Sequence, residues 1–255
     1  MSEQAMSEQL GQLVTMSTSL GDPVNDYVIL GEGNSSAIVD ENSFWVKASG
    51  TSMNGIDSSG FVQVLFEPVL ALLEESSPSD LGVQQALSSA IIGSDRTIRP
   101  SVETTFHAVA LSIAGARFVG HTHPTAVNGI LCSRFAKEAY SGRLFPDEIV
   151  VCGPAPVFVP YIDPGNPLAL EVRRQIISYQ DDYGFSPKLI LMQNHGLVAL
   201  GQTASEVLQI TAMAVKTARV LLGVYTAGGP NFLSQENVAR IDNRLDENYR
   251  RGRLT

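Results

Sequence analysis

Residues 118–124 read Phe-Val-Gly-His-Thr-His-Pro, and residues 189–196 read Leu-Ile-Leu-Met-Gln-Asn-His-Gly. Each stretch is a short apolar run closed by a proline or a glycine, the pattern of a buried strand meeting a tight turn. Successive side chains alternate in extended chain, so His121 and His123 share a face and their imidazoles can converge. His195 occupies the equivalent place after the second run. Three neutral imidazoles suit zinc and leave a fourth coordination position open. They also leave the ion's double charge uncompensated, which makes it a strong Lewis acid. A His-x-His pair alone fits a surface or core pair as well. The matching context of His195 is what favours a metal.

Other strands are predicted at residues 26–33, 149–152 and 156–161, and at 37–39 and 44–46 around an Asp40-Glu41-Asn42 turn. Residues 48–60 are glycine-rich and read as loop. Helical spacing is predicted over 61–75, 82–91, the segment after Pro100-Ser101, and 125–132. Asn166 can cap a helix running to residue 179, and Thr203-x-x-Glu206 is a capping box opening a long one. A charged helix is expected over 236–250. The mixture lacks regular βαβ alternation and a Rossmann glycine fingerprint, which gives a single mixed α/β domain.

The bulk composition fits that reading. The chain has 255 residues, 44% of them hydrophobic and 17% charged, as expected of a globular protein with a sizeable core. No run of eighteen apolar residues appears, so no membrane span is expected. Residues 1–20 are polar, carry MSEQ twice and lack the pattern of a secretory signal. A disordered or loosely attached tail is expected there, with the domain over 21–255. The net charge of −9 argues against nonspecific nucleic-acid binding but leaves room for a small anion in a locally positive pocket. The two cysteines, Cys132 and Cys152, have no CxxC partner. That favours a reducing cytoplasm and reads both as small buried apolar residues.

Several polar residues could complete a site. Glu103, near a helix start, fits an acid/base role and equally fits an acid favoured by the helix dipole. His107 follows it by four residues. Without an HExxH motif it reads as a structural residue hydrogen-bonded beneath the site. The loops Gly31-Glu32-Gly33-Asn34-Ser35-Ser36 and Lys47-Ala48-Ser49-Gly50-Thr51 offer backbone N–H groups, hydroxyls and one ammonium. With Pro100-Ser101 at a helix start, they could cradle a phosphate or carboxylate.

Taken together, GEGNSS (31–36), KASG (47–50), PSVETTFH (100–107), GHTHP (120–124) and QNHG (193–196) resemble the class II aldolase/adducin family over roughly residues 25–225. That family includes fuculose-phosphate and rhamnulose-phosphate aldolases, ribulose-phosphate 4-epimerases and sugar-acid decarboxylases. The resemblance implies a three-layer α/β/α domain around a largely antiparallel mixed sheet. It also implies a homotetramer with active sites between subunits and a sugar or sugar-phosphate substrate. It aligns His121, His123 and His195 with the metal ligands, Glu103 with the aldolases' acid/base, and Asn34, Ser35, Ser49, Gly50 and Ser101 with the phosphate loops. The implied activity is zinc-dependent cleavage of a ketose, as the phosphate, through an enediolate that the metal stabilises. The alternatives are a 4-epimerase or decarboxylase of the same fold, or a noncatalytic adducin-like module. Two departures stand out. Val102 takes the place of a second serine, and Lys47 stands where fuculose-type aldolases carry threonine. The proton-donor tyrosine has no alignable motif, leaving Tyr140, Tyr225 and Tyr249 as candidates.

Overall fold

The computed structural model describes residues 3–75, 79–93 and 97–244. Every residue of β4 (Phe118–Thr122), β6 (Leu189–Met192) and β7 (Gly196–Gly201) is buried, so helices must cover both faces of the sheet they form. The other strands are β1 (Asn34–Ile38), β2 (Ser43–Lys47), β3 (Phe61–Leu65) and β5 (Val157–Val159). The seven strands run in the order β3-β2-β1-β4-β7-β6-β5. Every neighbouring pair is antiparallel except β5 with β6.

One face carries α2 (Phe66–Ala71), α3 (Asp80–Ala90), α4 (Thr104–Ser112) and α8 (Asn166–Tyr183), around a core that includes Phe44, Phe106 and Val172. The opposite face carries α1 (Glu3–Leu20), α5 (Thr125–Leu131) and α9 (Ala204–Thr226), packed on Leu191, Leu197 and Ala199. The short α6 (Ala136–Ala139) follows α5, and α7 (Pro146–Cys152) contributes Cys152 to the same layer. Behind α7 docks α10 (Gln235–Asp242), through Val238 and Ile241. The result is the expected three-layer α/β/α domain. By length and composition alone α9 could cross a membrane. Here it buries Val207, Ile210, Ala214 and Leu221 in the core, while its outer face carries Lys216 and Arg219.

The expected loose tail over 1–20 is corrected: residues 3–20 form α1. Leu13, Met16 and Leu20 are fully buried against the sheet. Their stripe is sparse and diluted by serine, threonine and glutamine, so it carries too little hydrophobic signal to read in isolation. The predicted strand at 149–152 is α7 instead. Pro146 at its first position and Asp147 and Glu148 in its first turn open a helix that the β-branched run obscures. Within the helix predicted at 61–75, residues 61–65 pair with β2 as a strand, and helix begins only at Phe66. Residues 26–33 form no strand, because Asp26, Leu30 and Gly33 take positive φ. Of the helix expected over 236–250, residues 236–242 are helical, and 245–250 lie outside the described residues. Cys152 is buried as expected, but Cys132 is exposed.

Candidate metal centre and active-site cleft

The register of the central strands brings the histidines together. His121 of β4 pairs with Val198 of β7, and Thr122 with Leu197. The turn that carries His195 therefore lies beside His123. Gly196 is needed at this closure: a Cβ there would meet the Thr122 carbonyl oxygen at 2.4 Å and the His123 ring at 2.7 Å. Asn194 holds a left-handed conformation in the turn, and the Asn128 amide donates to the His195 carbonyl at 3.0 Å. Neither Asn128 nor the Asn194 strain was legible, since nothing in local spacing links α5 to this turn.

The ligating atoms of His121, His123 and His195 all lie within 4.8 Å of one another. The His121 Nδ1–H donates to the Leu197 carbonyl at 2.8 Å, which leaves the Nε2 lone pair facing the other rings. His121 Nε2 and His123 Nε2 are 2.9 Å apart. A tetrahedral ion with Zn–N bonds of about 2.0–2.1 Å would hold its nitrogens about 3.3 Å apart, so a small outward shift accommodates one. Burial pushes the His121 pKa well below its ordinary value, although Glu103 works the other way. Burial, then His195, also lowers that of His123. Three imidazole nitrogens gathered this closely are a donor set that suits a divalent transition ion. The three residues could hold such an ion.

Glu103 sits at the N-cap of α4 with one carboxylate oxygen 3.0 Å from His195 Nε2 and the other 3.8 Å from His121 Nε2. It makes no side-chain cap bond, so the cap position serves the cleft rather than the helix. Burial raises its pKa, but His121, His195 and the Asn34 amide outweigh burial and hold it well below the usual carboxylate range. The group is therefore ionised beside the rings.

Asn34, Lys47, Ser49, Gly50, Ser101 and Glu103 line one cavity of about 230 Å³ that reaches His123. The Lys47 ammonium is buried beneath it and donates to the Thr51 carbonyl. Burial lowers its pKa and Glu103 opposes that. Ser35, also expected at the cleft, is turned away. Alternation along β1 places Asn34 and Ser36 toward α4 and Ser35 toward α1, where its hydroxyl meets that of Ser17 at 2.6 Å. His107 is fully buried beneath the cleft, as its helical position implied, and bonds to both Asn34 and Ser36. Ser36 escaped the sequence reading, although the same alternation would have found it. No tyrosine lines the cavity among the described residues. Tyr140 is buried and Tyr225 stacks on Phe135, both elsewhere, while Tyr249 lies outside the described residues.

Comparison with known proteins agrees with this architecture. Among curated proteins the chain is similar to an uncharacterized oxidoreductase, YuxG, of Bacillus subtilis (strain 168). The two are 29% identical over 200 residues, covering 74% of this chain and 26% of that protein. The chain thus spans about a quarter of the length of this curated relative. Among solved structures it is similar to the N-terminal class II aldolase domain of a conserved protein from Thermoplasma acidophilum, with a TM-score of 0.65, 26% identity, and coverage of 84% of this chain and 93% of that one. An L-fuculose 1-phosphate aldolase shares the fold at a TM-score of 0.70 and 16% identity, covering 94% of this chain and 97% of that one. The family model described as the class II aldolase and adducin N-terminal domain matches residues 13–222, beginning inside α1. The chain belongs to the class II aldolase and adducin N-terminal domain family.

Proposed function

We propose that the chain is a zinc-dependent lyase of the class II aldolase type, cleaving a hydroxylated ketose, in particular a ketose phosphate. The observation that carries the reading is the convergence of His121, His123 and His195 within 4.8 Å, with the Glu103 carboxylate 3.0 Å from His195. These histidines would hold the ion. When bound, it supplies fixed positive charge against which the substrate oxygens become negative as the C–C bond breaks to give an aldehyde and an enediolate.

The remaining work falls to the chain's own residues. Glu103, held ionised, carries a proton to or from the enediolate carbon. Ser49, Gly50 and Ser101 offer hydroxyl and N–H donors to the substrate's anionic group, and the buried Lys47 ammonium supplies a positive field from below. The tyrosine that takes the proton from the substrate hydroxyl as the aldehyde departs, and returns it in the condensation direction, comes from a neighbouring subunit of a homotetramer. Two features support that assembly. The cavity has no tyrosine of its own among the described residues, and Ile29 and Leu30, 61% and 83% exposed, flank its rim. The unpaired cysteines fit a cytoplasmic setting.

A 4-epimerase or sugar-acid phosphate decarboxylase passes through a similar enediolate, and the buried Lys47 is the residue that favours it. The test is aldehyde release by zinc-loaded protein on a panel of pentulose and deoxyhexulose phosphates, with products identified by NMR. Glu103→Gln is expected to abolish it, and full activity in that variant removes Glu103 from the role. Protein purified without chelator that contains no stoichiometric metal and turns nothing over is the adducin-like module instead.

A further inference from the structure

We propose that Arg99 is a ligand for the substrate's phosphate, closing on it from a second cavity that adjoins the cleft. The inference rests on the reading of the cleft as a sugar-phosphate site and deepens it.

The second cavity, of about 480 Å³, is lined by Leu87, Arg99, Pro100 and Val102 among others, and it shares Ser49 and Ser101 with the cavity that reaches His123. Those two serines are therefore the boundary between the two spaces. The local backbone explains how Arg99 comes to face that boundary. Ala48 and Pro100 pair across an antiparallel bridge, and the Ser49 N–H donates to the Arg99 carbonyl at 2.8 Å. Ala48 and Pro100 are buried on one side of the bridge. Alternation sends Ser49, Arg99 and Ser101 to the other side, as neighbours.

The side chains at this boundary are uncommitted. The Ser101 hydroxyl is shielded from solvent and has no hydrogen-bond partner among the described residues. The Arg99 side chain is exposed and makes no ion pair among them. The buried Lys47 is already engaged, because its ammonium donates to the Ala48 and Thr51 carbonyls. Val102, 43% exposed, presents methyl groups to the second cavity directly after Ser101, so no hydroxyl comes from that position. An anion seated on Ser49, Gly50 and Ser101 meets hydroxyl and N–H donors from the cleft side only. The Arg99 guanidinium adds a planar fork of N–H donors and a full positive charge from the second cavity. Donors from two directions suit the three acceptor oxygens of a phosphate monoester better than the two of a planar carboxylate.

The test uses full-length, zinc-loaded protein and the variant Arg99→Ala, with circular dichroism and bound zinc compared to establish that the fold and the metal are kept. Calorimetry with inorganic phosphate and with acetate reads the site directly. Arg99→Ala is expected to weaken the Kd for phosphate about 10- to 100-fold and to raise KM for a ketose phosphate in step. The unaltered protein is expected to bind phosphate more tightly than acetate, and less tightly as salt is added. A phosphate Kd that moves less than about twofold in Arg99→Ala overturns the proposal, as does acetate bound as tightly as phosphate. The two readings fail separately. If no sugar is turned over while phosphate binding depends on Arg99, the lyase reading fails and the anion site stands. Turnover of ketoses by protein that binds no phosphate at millimolar concentration overturns the role of Arg99 and leaves the lyase reading intact.

Discussion

Replacing His107 with glutamine should make the protein's stability less sensitive to acid. The His107 ring is fully buried and its pKa lies at about 3, against an ordinary value of 6.5. Burial is the main cause; Glu103 favours the charged form and Lys47 opposes it. Between those two values the unfolded chain binds a proton that the folded chain refuses, so stability falls as pH falls through that window. Each pH unit is worth about 1.4 kcal/mol, so from pH 7 to pH 4 this one residue withdraws about 3 kcal/mol. That is a large share of the ~5–15 kcal/mol that holds a domain together. At pH 7 the glutamine variant should be the less stable by about 1–3 kcal/mol, through lost packing and imperfect hydrogen bonds. By pH 4 the gap should have closed or reversed, because glutamine does not titrate. The assay is urea unfolding of chelator-treated protein, followed by circular dichroism at several pH values, with the two m-values compared. A gap that stays constant to within about 0.5 kcal/mol from pH 7 to pH 4 would refute a buried, neutral His107.

Three further outcomes are expected. Gly196→Ala must push β7 off the Thr122 carbonyl and the His123 ring, so zinc affinity should fall at least about tenfold while secondary structure by circular dichroism is kept; unchanged affinity contradicts the close approach. Leu13→Ala should destabilise the fold by about 2–5 kcal/mol in urea titrations, and a change below about 0.5 kcal/mol would restore the view of residues 1–20 as a loose tail. A chromogenic disulfide reagent should label Cys132 in the native protein and reach Cys152 only after denaturation, because burial raises the Cys152 thiol pKa to about 12.

The site was more legible than the fold around it, and the reason lies in local geometry. His121 and His123 converge because alternation in a strand is a local rule. His195 was found because its apolar strand and following glycine repeat the same context. Glu103 was visible as a helix-start acid, yet spacing could not separate a catalytic carboxylate from a dipole-favoured one. The tertiary structure adds the absent cap bond and the 3.0 Å approach to His195 from a distant strand turn, which support the proposed catalytic role. Ser35 shows the opposite failure. It sits in a motif that reads as an anion loop, but a one-residue step along β1 sends it through the sheet to Ser17.

By itself the sequence determined the mixed α/β class, the two strands that lead to the histidines and the turns that stop them, because these rest on alternation, apolar runs and glycine or proline at fixed places. Tertiary structure alone decided that α1 belongs to the core, that residues 146–152 are helix, and that Asn34 faces His107. Each of those depends on what packs against the segment: a sparse stripe becomes stable once a sheet covers it, and an amide takes its orientation from partners about seventy positions away along the chain.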